Sequence, residues 1–446
     1  AYNLALDCMA DDLIMQSQGN GWFWGDHCYN VKSNYTSSAF RSYDVWYANY
    51  KWIANVNYII DAEPEMAGTE ADVAYVAGQA YAIRALCYLN LATWFSRAPY
   101  NSLTGASRWN EPCVPVYTTG TSIDTGGQPR ESLRTVYGRI DQDIDRAIEL
   151  LEKARETTLA ENNKSHINLY VALGIKSRAC LAEGDWDGAF KAAKRVIDEG
   201  GYAVGTKSDL TGGMNSLDKQ NVMWGAGIQV ADQAGGYAGF FTHMDNKEGA
   251  YAKSAPKLIS KQLYNRISAT DIRRDWWDPS DKESPYVSKK FSFANVASFL
   301  GDYIYMRVEE MYFTAAEAAL RLDDLKSARE LMNTVMAERD PGYSANNRSG
   351  TLLGATTTTW TGSFLENILT HRRIELWGEY GRLFDVRRLG QGIDRRTDDG
   401  FSEECISMMN RRNVNITKAD TYDWVLTIPK AELDANPNIN EEDQNP

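Results

Sequence analysis

Apolar residues return at every third and fourth position over long stretches of the chain, and the elements they predict are mostly helices. Tyr43, Trp46, Tyr47, Tyr50, Ile53 and Ala54 follow the i, i+3, i+4, i+7 spacing of one amphipathic face. Glu63-Pro64 interrupts the pattern. Val76, Ala80, Ile83, Cys87 and Trp94 resume it until Pro99. Small residues at 74, 77, 78, 80, 82 and 85 on this second helix predict close approach by a neighbour. A third helix runs through Leu133, Val136, Ile140, Ile144, Ala147 and Leu151. Between the second and third, residues 98–130 hold four Pro and read as a long loop.

Two helix pairs follow. The first joins a helix from about Ile167 to Glu183, through a Gly184-Asp185 turn, to an apolar stripe of Trp186, Ala189, Phe190, Ala193, Val196 and Ile197. The second joins Val308, Met311, Tyr312, Ala315, Ala319 and Leu322 to Ala328, Leu331, Met332 and Val335. A unit of about 34 residues is the tetratricopeptide length. About 100 residues separate the two pairs, so a helical scaffold interrupted by an insertion is expected, and not a regular solenoid. The insertion, 202–303, is rich in Gly, Asn and aromatics, and residues 221–228 read as a short strand. Residues 341–363 read as a loop. After Gly390 little regular pattern remains, and the chain ends in an extended tail, IPKAELDANPNINEEDQNP.

Charge is concentrated in NILTHRRIELWGEYGRLFDVRRLG, residues 367–390, which reads as a charged helix with a turn near Gly381. Arg372 and Glu375, Glu379 and Arg382, and Asp385 and Arg388 are each three apart and can pair along one face. An exposed pair of this kind contributes only about 0.3–0.5 kcal/mol. The spacing fits a partly buried network or a solvated face equally well. The whole chain, 446 residues, carries a net charge of −13, which argues against a nucleic-acid binder needing a basic face.

Candidate chemistry is sparse. No nucleophile-elbow, zinc-protease or phosphate-loop pattern occurs, and the four His are scattered. Glu309, Glu310 and Glu317 could be offered as glycosidase carboxylates, but on a tetratricopeptide-like helix they read as ordinary exposed acids. Asp245 and Asp302 are the acids considered for a structural cation; no cofactor is expected, and no calcium-loop spacing supports an ion. The six Cys form no zinc pattern; a Cys8–Cys28 disulfide is compatible with the sequence and not demanded by it. No apolar run approaches the length of a membrane span, and the absence of a leader points to a trimmed start.

The aromatic loops carry the best functional signal. Residues 16–30, QSQGNGWFWGDHCYN, and 235–251, GGYAGFFTHMDNKEGAY, mix glycines with adjacent rings that cannot all be buried on one face. The candidate ligand-binding residues are Trp22, Phe23, Trp24, Asp26, Tyr29, Tyr237, Phe240 and Phe241, with Asn20, Asn30 and Asp245 as further polar partners. Sugar rings stack their C–H faces on such platforms while their hydroxyls take hydrogen bonds. The competing reading is a loop anchored by its own rings. For Trp276 and Trp277 core packing is the favoured reading.

Four stretches make the chain resemble the RagB/SusD family of surface nutrient-binding lipoproteins. They are RRIELWGEYGRLFDVRRLG, the terminal IPKAELDANPNINEEDQNP, the paired tetratricopeptide-like helices, and SAPKLISKQLYNRISATDIRR with Asp271 and Arg273. Tyr380 stands where the family usually has glycine, with Gly381 one place later, and the lipid-modified N-terminal Cys is not in this chain. The resemblance implies a mainly α fold, one SusD-like domain over 1–446. Its scaffold would occupy about 35–97, 131–200 and 304–340, and its variable lobe about 98–130, 202–303 and 341–446. It also implies a non-enzymatic lipoprotein at the outer-membrane surface of a Gram-negative bacterium. Such a protein would capture oligosaccharide for a SusC-like TonB-dependent transporter. Peptide capture, or a scaffold that binds only protein, are the alternatives.

Overall fold

The computed structural model describes residues 4–30, 40–157, 159, 163–229, 238–379, 381–419 and 421–446. Tyr237 and Tyr380 lie outside the described residues. The chain is mainly α and divides into two compact units, each assembled from three stretches of sequence.

One unit comprises Asn30–Ala192, Arg387–Gly390 and Asp420–Pro446. Its helices Phe40–Ala62, Glu70–Phe95, Leu133–Lys153 and Leu169–Glu183 pack in series. The predicted breaks hold for local reasons. Thr69 accepts from the amide of Asp72 to start the second helix, and Gly184, in the left-handed region at φ 77°, ends the fourth. The small-residue face does what its composition predicts. A Cβ on Gly78 would stand 2.9 Å from the Leu151 side chain, so only glycine lets the Leu133–Lys153 helix come so close. Arg84 and Asp143, both buried, pair bidentately at 2.7 Å, and Arg84 also donates to Asn57 and to the Thr118 carbonyl. The 98–130 loop is thereby tied to three helices.

The terminal tail belongs to this unit and is more ordered than its pattern suggests. It forms helix Lys430–Ala435 and a turn at Glu441–Asp443. Gln444 exchanges hydrogen bonds with the Ile428 backbone, and Asn445 donates to the carbonyls of Phe95 and Leu426. The closing Gln-Asn-Pro is a backbone clamp that satisfies carbonyls at the end of a buried helix.

The other unit comprises Ala1–Tyr29, Ala193–Val386 and Gln391–Ala419. It contains the second helix pair, Val308–Arg321 and Leu325–Ala337, with helix Phe364–Glu375 packed on the first of them. The expected strand is present as Val222–Ala226, paired antiparallel with Tyr303–Arg307. A four-stranded patch of two-residue strands holds Leu13–Ile14 beside Leu258–Ile259. Helix Glu403–Arg411 was not foreseen: Cys405 and Met409 are its only fully buried residues, so its apolar face is too narrow to read from sequence.

The charged stretch 367–390 is two helices, Phe364–Glu375 and Arg382–Leu389, separated by left-handed glycines at 378 and 381. Its side chains reach across elements. Arg372 meets Asp385, while Arg373 and Arg382 clamp Asp11 and Asp12. At the centre Glu375, wholly buried, accepts from Arg273, Arg307 and Arg339 at 2.9–3.1 Å. Glu309 joins Arg307 and Arg339, Glu379 joins Arg307 and Lys290, and Asp271 joins Arg273. Burial alone would raise the Glu375 carboxyl, but Arg339, Arg307 and Arg273 hold it well below the usual range. Four cations thus face four carboxylates in the interior, so the desolvated charge balances. The partly buried network, not the solvated face, is the arrangement found.

One expectation about acids is corrected here. Glu309, Glu310 and Glu317 are buried, not exposed: Glu309 is locked by arginines and by Asn221 and the Gly205 amide, and Glu317 faces Arg321.

Candidate ligand-binding surface

The two aromatic loops, more than 200 residues apart, meet in the second of these units. Gly19, at φ 50°, lets the first loop press on the backbone at Ser254; a Cβ there would lie 2.5 Å from the Ser254 carbonyl oxygen. Asn20 accepts from the Trp22 amide at 3.2 Å and sets the turn. Phe23 then takes a left-handed conformation, φ 62°, uncommon for a bulky residue. This reverses the chain so that neighbouring rings point in different directions.

The consequence is a division of labour. Phe23, Trp24, Asp26 and Tyr29 are buried. Phe23 lies edge-on to His243 at 5.0 Å, Trp24 lies against His27, and Arg395 sits over the Tyr29 ring. These four anchor the loop, whereas Trp22 stays half-buried. Its ring lies 5.1 Å from His243 and 5.8 Å from Tyr251.

Helix Phe240–Met244 supplies the second half. Phe241 is buried between Phe293 and Tyr303. Phe240 is half-buried, edge-on to Phe241 and Phe291. His243 points the other way and stacks on Tyr251 at 4.9 Å. Next to the helix, Asp245 accepts from the amides of Lys247, Glu248 and Phe293. Asp302 accepts from those of Leu217 and Ile228. The two acids considered for a cation therefore staple loops, with backbone N–H groups already on both oxygens of each. Trp276 and Trp277 are core: Trp276 donates to the Leu210 carbonyl and Trp277 packs edge-on to Trp377.

Several rings of this surface were not singled out from the sequence. Tyr251 and His243 lie inside the 235–251 stretch, whose glycines mark it as a loop. Tyr303 and Tyr305 alternate along one strand and so share a face. Tyr305, 43 % exposed, meets Trp224 at 5.0 Å on the paired strand. Phe299, equally exposed and left-handed at φ 52°, tops a tight turn closed by Asn295 and Leu300. The Tyr-x-Tyr alternation was the one signal that could have drawn attention to this strand. The half-exposed rings fall in three groups, Trp22 with Tyr251, Phe240 with Tyr303, and Tyr305 with Trp224, and these groups together are the aromatic belt.

The sequence profile of the SusD family matches residues 247–446, and a second profile, described as starch-binding associating with outer membrane, matches residues 5–181. The chain belongs to the SusD family. A SusD-like carbohydrate binding protein from Bacteroides vulgatus ATCC 8482 is 25% identical over 99% of this chain and 92% of its own, with a TM-score of 0.77. A SusD superfamily protein from Bacteroides thetaiotaomicron VPI-5482 is 23% identical, covering 100% and 94%, at a TM-score of 0.80. Surface glycan-binding protein A from Bacteroides thetaiotaomicron, solved with laminarihexaose, shares the fold at 15% identity, 99% and 93% coverage and a TM-score of 0.68. No curated protein matches the chain. The SusD-like signature residues Arg372, Glu375, Glu379, Arg382 and Asp385 all sit in buried ion pairs and none lies on the aromatic belt.

The other unit holds a groove of about 430 Å³ lined by Trp46, Tyr47, Tyr50, Tyr117 and Glu432. Trp46 donates to Glu432 and Tyr50 to the Pro115 carbonyl, so the polar edges of the two floor rings are already engaged. Farther along the same helix, Trp52 and Tyr58 are more than half exposed. Among the described residues no helix is long and apolar enough to cross a membrane.

Proposed function

We propose that the chain captures oligosaccharide, without transforming it, on the aromatic belt around Trp22 and Tyr251. The observation that carries this reading is the pairing of rings whose faces remain half open with backbones fixed by buried anchors. A pyranose gains from stacking on a ring already held in place, since little ordering entropy is lost on binding. The description of a structural relative as a carbohydrate binding protein supports the ligand class. The burial of Glu309, Glu310 and Glu317 in ion pairs leaves these acids in scaffold roles and supports binding without hydrolysis. Trp22, Phe240 and Tyr251 would touch the sugar, while Phe23, Trp24, Asp26, Tyr29 and Phe241 would hold them in place.

Attachment at the outer membrane and delivery to a SusC-like TonB-dependent transporter complete the proposal. The family profile's description supports the first. The exposed rings of Tyr47, Trp52 and Tyr58 on the Phe40–Ala62 helix support a protein-facing side for the second.

Isothermal titration with a panel of oligosaccharides, laminarihexaose first, tests the site. The Trp22→Ala, Tyr251→Ala double variant should lose measurable binding while keeping its Tm. Wild-type affinity in a folded double variant would remove the belt from the site. Binding of peptides in place of glycans would move the chain to the peptide-capturing reading.

A further inference from the structure

The groove of the helical unit is built from three distant stretches. Helix Phe40–Ala62 supplies Trp46, Tyr47 and Tyr50, the long Pro-rich loop supplies Tyr117, and the terminal helix Lys430–Ala435 supplies Glu432. Side chains tie these stretches to one another. Asn57 donates to the carbonyls of Tyr117 and Thr119, and Asn436 donates to that of Gln128. The rings are not parallel. Trp46 and Tyr50 lie 4.9 Å apart at 48°, and Tyr50 and Tyr117 lie 5.9 Å apart at 90°. Rings at such angles wall a box and not a flat platform. Its volume of about 430 Å³ falls within the range of small-molecule sites.

Glu432 brings charge to this box. It is half-buried, and it accepts from Trp46 Nε1 at 3.1 Å and from Asn436 Nδ2 at 2.8 Å, one bond on each oxygen. Both donors are neutral. Among the described residues no lysine or arginine pairs with this carboxylate. Burial raises the Tyr50 and Tyr117 phenols, and the Glu432 charge raises both further, as it must if it stands beside them. A fixed carboxylate without a counter-ion, among the negative faces of aromatic rings, favours a cation on both counts. The hydrogen-bonding groups are meanwhile engaged. Tyr50 donates to the Pro115 carbonyl, Tyr117 accepts from the Gln128 amide, and the Ser122 and Thr125 hydroxyls accept amides of their own turn. A sugar would find few partners here. A quaternary ammonium needs none.

We propose that this groove is a second ligand site, for a small quaternary ammonium ion whose charge rests beside Glu432 and whose methyl groups lie on Trp46, Tyr50 and Tyr117. Lys51 stands at the rim, with Nζ 5.8 Å from the centre of the Tyr47 ring. Its ammonium opposes a second cation, and its exposure to solvent weakens that opposition. The site shares no residue with the aromatic belt and does not depend on the glycan reading.

The probe is choline, titrated into the whole chain by calorimetry and followed by its methyl proton resonance, which the ring currents should move upfield. Saturable binding of one choline per chain is expected. Dimethylbutanol, in which carbon replaces the nitrogen, should bind roughly tenfold more weakly. Glu432→Gln, which keeps an acceptor for Trp46, should weaken choline roughly tenfold, and Lys51→Met should tighten it about threefold. The Trp22→Ala, Tyr251→Ala double variant should bind choline as wild type does. Absence of choline binding, or equal affinity for choline and dimethylbutanol, would overturn the proposal. So would a folded Glu432→Gln protein with wild-type affinity, or loss of choline binding in the folded double variant. The comparison of choline with dimethylbutanol uses the wild-type chain and decides the matter if Glu432→Gln does not fold.

Discussion

The charged centre of the SusD-like unit and its aromatic belt are built by opposite rules. Around Glu375 every charge has partners brought from distant sequence, with donor–acceptor distances of 2.5–3.1 Å and no freedom left over. On the belt the contacts are ring on ring, at 4.9–6.4 Å and mixed angles, and the polar side chains fix backbone and not rings. Hydrogen-bonded ion pairs are directional and lose heavily if one member goes. Aromatic packing is adaptable and tolerates replacement of neighbours. The first arrangement fixes a fold and the second can be re-lined for different ligands. Substitution should therefore be felt as stability in one region and as affinity in the other.

The largest expected effect breaks the centre. Glu375→Ala leaves Arg273, Arg307 and Arg339 facing one another without their shared carboxylate. A loss of about 3–5 kcal/mol is expected in urea denaturation. Glycan affinity of the folded fraction should be unchanged; a loss below about 1 kcal/mol would mean that water already screens the site. Acid should reproduce the effect in wild type. Glu375 and Glu379 are held below the carboxylate range by the arginines around them, against burial. Their stabilisation is complete above the unfolded value of about 4.3 and is lost only as pH falls through the lower folded values. Unfolding should begin below about pH 4.

Asp385→Ala is the next step down. It removes one partner of Arg372, which retains Glu310 at 3.8 Å and the Thr314 hydroxyl. About 2–3 kcal/mol of stability should go, with ligand preference untouched. A changed preference would collapse the distinction between scaffold and surface.

How much of this could be read from sequence follows the same division. The Ala-rich face around Gly78, the Gly184 turn and the two helix pairs obey local rules of spacing and capping, and all are where the pattern puts them. The partners of Glu375 come from positions 273, 307 and 339, and no periodicity within 367–390 encodes them. The i, i+3 spacings there are real, but Arg372, Glu375, Glu379 and Arg382 take partners other than those the spacing suggests. On the belt the loops were legible as aromatic and Gly-rich. Which ring faces out depends on a left-handed Phe23 and on contacts with His243, neither of which a linear pattern carries.

Affinity is the next effect in size. Trp22→Ala should weaken oligosaccharide binding roughly tenfold with little change in Tm, since the ring is half-buried and its loop is anchored by Phe23 and Trp24. Phe241→Ala makes the opposite case. That ring is buried behind Phe240 and Tyr303, so the loss should be about 3–5 kcal/mol of stability, read by urea titration. If both variants lost affinity equally at full stability, the separation of outer rings from anchors would fail.

The smallest effect tests what arginines do for a buried acid. Glu183, at the end of helix Leu169–Glu183, is half-buried beside Asp141 and Asp185, with Lys176 as a nearby cation. Burial first, and then the neighbouring carboxylates, push its carboxyl up to about 8. The sign is opposite to that of Glu375. In the fold Glu183 keeps its proton well above 4.5, its ordinary value, whereas the unfolded chain releases it. The folded state therefore binds more protons between about pH 4.5 and 8, and stability falls as pH rises through that window. Glu183→Gln, neutral at every pH, should match wild type near pH 4 and exceed it at pH 8 by on the order of 1 kcal/mol, since solvent screens part of the penalty. Equal stability of the two proteins at pH 8 would show that Lys176 alone does for Glu183 what three arginines do for Glu375.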